Sequence, residues 1–82
     1  MRFTVVLVPD EDSSQFVAYV PVIPGCVTHG DSIEDALAMA LDAATLMLED
    51  LVERDEYVPT EPAGAIVANI EVHVSVPAEA VA

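Results

Sequence analysis

The chain has 82 residues, with 15 acidic side chains against two arginines, no lysine and a formal charge of -13. That length suits one domain with no room for a second core, and the charge would repel nucleic-acid phosphates and anionic membrane surfaces alike. A hydrophobic share of 54% and a mean hydropathy of +0.50 argue against disorder, and they point to apolar area covered by another subunit. The single Cys26 rules out an internal disulfide and fits a reducing compartment. The amino-terminal residues lack the apolar run of a signal peptide. The stretch from Ala36 to Leu51 is too short and too charged to span a bilayer. The expected location is the cytoplasm.

Residues 2–8 (RFTVVLV) predict a first strand, with Phe3, Val5 and Leu7 on one face and Thr4, Val6 and Val8 on the other. Turn formers from Asp10 to Gln15 lead to a second strand over Phe16 to Val20. Pro24-Gly25 fits the centre of a type II turn, and Cys26 to Thr28 form a short third strand. Asp31 or Ser32 can cap a helix, since Glu34 and Asp35 lie three residues after them. The helix is expected from about Ser32 to Glu53. Its apolar stripe comprises Ile33, Leu37, Ala40, Leu41, Ala44, Met47, Leu48 and Leu51. Residues 54–64 form a polar connector. Alternation from Ile66 to Val76 then predicts a fourth strand, followed by a frayed tail over residues 77–82.

These elements predict an α+β fold of order β-β-β-α-β. A three-stranded antiparallel meander is joined by a fourth strand parallel to the first, and one helix covers one face. Thr4, Val6, Val8, Val17 and Tyr19 are candidates for the uncovered face, which a second subunit would suit. The same arrangement matches the first part of a ribonuclease H-like fold. Enzymes of that fold carry metal-binding carboxylates on central strands, and the first two strands here have none.

Other constellations of reactive side chains are equally incomplete. Cys26, His29 and His73 lack the paired spacing of a zinc site. Asp10, Asp12 and Ser14 begin like a calcium loop, but Gln15 and Pro21 stand where a glycine and a glutamate are needed. No catalytic, metal-binding or cofactor-binding residue is expected, and the chain is not expected to be an enzyme. The candidate partner-binding residues lie on the outer side of the helix. Asp42, Glu49 and Glu53 would steer a basic protein, and Met39 and Leu46, two turns apart, would supply contacts.

The run from Phe16 to Leu37 (FVAYVPVIPGCVTHGDSIEDAL) resembles the HicB-like antitoxin family. An aromatic-led strand, a proline-bounded bend, Pro24-Gly25-Cys26, Gly30-Asp31 and an acidic helix start carry the resemblance, which covers about residues 2–55. It implies a small cytoplasmic protein with a degraded ribonuclease H-like core that forms dimers or tetramers. It further implies a partner, a small basic toxin of the HicA type that cuts messenger RNA using a histidine. Many HicB proteins also carry a carboxy-terminal DNA-binding segment. Here the residues after Glu53 include one arginine and no lysine, so operator binding is not expected. The alternative expectation is an orphan oligomeric domain with a scaffold or small-ligand role and no toxin.

Overall fold

The computed structural model describes residues 1–77. Three strands, β1 (Val6–Pro9), β2 (Phe16–Tyr19) and β3 (Val27–Gly30), precede one helix, α1 (Ile33–Glu53). The sheet is an antiparallel meander of order β1-β2-β3. Its register pairs Leu7 with Ala18 and Ala18 with Thr28.

The connections follow from local chemistry. At the first hairpin, Asp10 Oδ1 accepts the Asp12 N–H at 3.0 Å, and Asp10 Oδ2 accepts the Ser13 hydroxyl at 3.1 Å. These bonds close a solvated turn. At the second bend Gly25 adopts φ 78°, and the Cys26 N–H donates to the Ile23 carbonyl at 3.1 Å, as a Pro-Gly turn requires. That bond holds Cys26 in the turn, which is why β3 begins at Val27 and not at Cys26. The expected first strand is also shortened at its start. The Thr4 N–H donates to Glu61 Oε1 at 2.7 Å, so it is engaged by the connector and not by a strand.

Ser32 is the helix N-cap, its hydroxyl accepting the Asp35 N–H at 3.0 Å. Asp35 reaches back to accept the Asp31 N–H at 2.9 Å. Of the two capping candidates the hydroxyl wins, and both first-turn carboxylates, Glu34 and Asp35, sit at the positive end of the helix dipole.

The core is built from small side chains. Ala18, Val20, Ile23 and Cys26 pack with Ala36, Ala40 and Ala44 of α1. Gly30 lets the helix approach the sheet closely. A Cβ built there would lie 2.7 Å from both the Ala36 Cα and the Asp35 carbonyl carbon. This approach narrows the expected apolar stripe: Ala40, Ala44, Met47, Leu48 and Leu51 keep their inward side, and Ile33, Leu37 and Leu41 do not. The buried line of α1 runs through the three alanines, with Ala43, Met47 and Leu48 half-buried beside it, whereas Ile33, Leu37 and Leu41 are exposed. Bulkier residues cannot occupy the seam where backbone meets backbone.

With Ala18 buried under the helix, the strand period places Val6, Val8, Val17, Tyr19, Val27 and His29 on the other face of the sheet. Four residues of the expected open face are thus found there, while Thr4 precedes β1. The expected fourth strand is not formed. Among the described residues, 62–77 are exposed and belong to no regular element. Pro59 and Pro62 remove backbone donors, and Gly64 turns at φ 80°. This connector passes Thr4, Pro21 and Val22, and the chain then leaves the sheet. The residues expected as a frayed tail lie outside the described residues from 78 onwards.

Candidate functional site

The outer side of α1 is the only long element face that combines exposed apolar side chains with a row of carboxylates among the described residues. The combination follows from the alanine seam. Because Ala36, Ala40 and Ala44 take the inward position, Leu41 and Val52 turn outward, at 68% and 65% exposure. Leu46 is equally exposed at 68% on the opposite flank, and Asp42, Glu49 and Glu53 run between the two flanks.

Two concavities mark this face. A groove of about 540 Å³ runs between α1 and the amino-terminal residues, with Phe3, Leu48, Val52 and Val58 on its walls and Glu49 and Glu53 at its edge. A shallower hollow brings Leu41, Asp42, Thr45, Leu46 and Glu49 together. Four of the five residues expected to bind a partner therefore border a concavity: Asp42, Leu46, Glu49 and Glu53. Met39 is exposed on the Leu46 flank but lines neither hollow. Leu41 and Val52 are the contributors that sequence reasoning assigned to the core or passed over. The signal that could have found them is the four-residue alanine spacing after Gly30.

The electrostatics are simple. Arg54 is held by Asp50 at 2.8 Å and by Glu56 at 2.7 Å, and α1 has no basic residue in its last turn. The face thus presents carboxylates that the helix's own arginine does not neutralise. These pairs are half-exposed and contribute little to stability; their effect is to fix the position of Arg54 beyond the acidic row. Thr45, which borders both hollows, donates its hydroxyl to the Leu41 carbonyl at 2.7 Å and so has that donor satisfied within the helix.

Among the described residues, Cys26 is buried and His29 is exposed. Burial pushes the Cys26 thiol pKa up, the opposite of what an activated nucleophile needs. His29 lies exposed on the open sheet face, and no three His, Cys, Asp or Glu side chains are grouped to hold a metal among the described residues. No helix there is long and apolar enough to cross a membrane.

Comparison with known proteins gives a consistent set of relatives. Residues 3–78 match the family described as the HicB-like antitoxin of bacterial toxin-antitoxin systems. Antitoxin HicB 1 of Photorhabdus laumondii is 44% identical over 59 residues, covering 72% of this chain but 37% of its own length. A UPF0150 protein of Thermoplasma acidophilum is 35% identical over 66 residues, covering 80% of this chain and 94% of its own. A UPF0150 protein of Helicobacter pylori is 37% identical over 63 residues, 77% and 86% of the respective chains. The chain thus spans little more than a third of the named antitoxin and nearly the whole of the two shorter relatives.

Proposed function

The chain belongs to the HicB-like antitoxin family, and from that premise we propose that it neutralises a small basic toxin of the HicA type in the cytoplasm by binding it. The outer face of α1 is the contact surface, and no covalent step is involved. The toxin must hold messenger RNA through cations, so an acidic protein seated on those cations removes the substrate's place. Asp42, Glu49 and Glu53 draw the toxin in, and Leu41, Leu46 and Val52, with Met39 beside them, make the close contacts. The protein acts as a dimer or tetramer, which would multiply the acidic faces on one particle.

The observation that carries this reading is the pairing, on one exposed helix face, of outward leucines with carboxylates left free by Arg54. Opposite charge accelerates encounter, by up to ~10²–10³-fold at low salt, while desolvated apolar contacts slow release.

The test is co-expression with the neighbouring reading frame, followed by binding of the purified pair. Growth arrest by that frame, relieved by this chain and weakened by Leu41→Asp or Leu46→Asp, is the expected result. A stable homo-oligomer that rescues no toxic neighbour would favour the orphan scaffold instead.

A further inference from the structure

We propose that residues 66–76 form a strand in trans, adding to the open edge of β1 in a second copy of this chain by reciprocal exchange. This deepens the self-association proposed above and rests on it.

The segment has the period of a strand but no strand to pair with. Ile66, Ala68, Ile70, Val72, Val74 and Val76 form one row, and Ile66 and Ile70 are 86% and 88% exposed. Such a row in water is stable only as part of a sheet with a buried face. The chain is correspondingly drawn out, with a radius of gyration of 15.9 Å, against about 12 Å expected for a compact chain of this length.

The acceptor is protected only by its four-residue length and by Pro9 at its end. β1 is an edge strand, and no charged side chain lies between Arg2 and Asp10. Charges and bulges are the stronger devices by which natural edge strands prevent pairing with another chain, and β1 has no charge. The Val6, Leu7 and Val8 stretch of the edge is left able to pair. The two surfaces also suit each other electrostatically. Glu71 is the one carboxylate between Pro62 and Pro77, and the open sheet face behind β1 carries none. In a chain of charge -13, this is where two copies can meet without pressing acidic groups together. Association through α1 would instead bring Asp42, Glu49 and Glu53 of each copy into contact.

Length favours a second copy over the same chain. Eleven residues extend ~36 Å as a strand, whereas the four residues of β1 offer ~13 Å. The surplus of about seven residues is the span needed to cross between two bodies. Two exchanged arms bring ~1,000 Å² of apolar side-chain area to the contact, counting six residues per arm at ~60–120 Å² each. Their acceptors add to this, which places the interface within the ~1,200–2,000 Å² of stable complexes.

Sedimentation velocity of the full chain, with Val72→Pro and Ile70→Asp variants, tests the exchange. The expected result is a dimer or larger assembly for the parent and monomers for both variants, each keeping its helical circular dichroism. A spin label then identifies the acceptor. Chains with Cys26→Ala and a labelled Ser75→Cys are refolded together with ¹⁵N-labelled Cys26→Ala chains, so that only contacts between copies broaden signals. Broadening of the Val6, Leu7 and Val8 amides supports the exchange. Broadening confined to α1 overturns it. A monomeric parent overturns both the exchange and self-association. Variants that remain dimeric overturn the exchange while leaving self-association in place.

Discussion

Replacing Gly30 with alanine tests the close seam between helix and sheet. The added methyl would stand 2.7 Å from the Ala36 Cα and the Asp35 carbonyl carbon. Ordinary contact needs roughly 1 Å more, and the obstructing atoms are backbone, so no side chain can swing aside. The first turn of α1 must therefore move, which strains the Ser32 cap and separates Ala36 from Ala18. Overpacking of this kind costs about 1–3 kcal/mol, and an immovable neighbour places Gly30→Ala near the upper end. A domain of this size has about 4–12 kcal/mol in total. At about 4–8 °C per kcal/mol, the midpoint of thermal unfolding should fall by ~10–20 °C. The assay is urea and thermal unfolding followed by helical circular dichroism, at one protein concentration so that association does not confound the comparison. Gly25→Ala is the control. It meets no atom within 4 Å but must hold φ 78°, so its cost is ~1–2 kcal/mol of backbone strain. A Gly30→Ala protein within ~0.5 kcal/mol of the parent would refute the close approach and the alanine seam built on it.

Three further outcomes follow. Changing Asp42, Glu49 and Glu53 together to lysine should slow association with a basic partner by at least tenfold at low salt and flatten the salt dependence, as read by stopped-flow or surface binding; an unchanged rate and salt slope would remove the steering role. Ser32→Ala should cost ~1 kcal/mol in urea unfolding, because the Asp35 amide loses its 3.0 Å acceptor, whereas Ser32→Asp should keep most of it. Cys26 should give stability a pH dependence. Its pKa in the folded chain is raised by burial, so folding favours the protonated thiol; the contribution is intact below the ordinary value of 9.0 and is lost as pH rises through the higher folded value. Unfolding midpoints measured from pH 8 upward should fall more steeply for the parent than for Cys26→Ala, and equal slopes would contradict the assignment.

Much of the fold was legible because its signals are local. The Asp10 turn, Pro24-Gly25 and the Ser32 cap each act within a few residues, and the helix ends where charge and periodicity place it. What was not legible depends on distance in the chain. Helical period alone assigned Leu37 and Leu41 to the core, since it identifies a face without saying how near the sheet will come. Only the contact of Gly30 with Ala36 centres the buried line on Ala36, Ala40 and Ala44 and turns Leu37 and Leu41 out of it. The alternation from Ile66 to Val76 predicts a strand that the described residues do not form, because a period of two marks two faces without supplying a neighbour to pair with. Of the candidate site, the carboxylates were readable because solvated charges face outward wherever the core lies. The leucines beside them depend on the seam.

The alanine attachment also separates two demands that most small domains place on the same side chains. Over its first turns the helix is fastened by methyl groups and a bare glycine, with Met47 and Leu48 packed further along, while Leu37, Leu41, Leu46 and Val52 stand in solvent. Substitutions on that outward surface can change its shape and charge with little penalty to the scaffold beneath. A helix attached in this way leaves one of its sides free to vary in sequence.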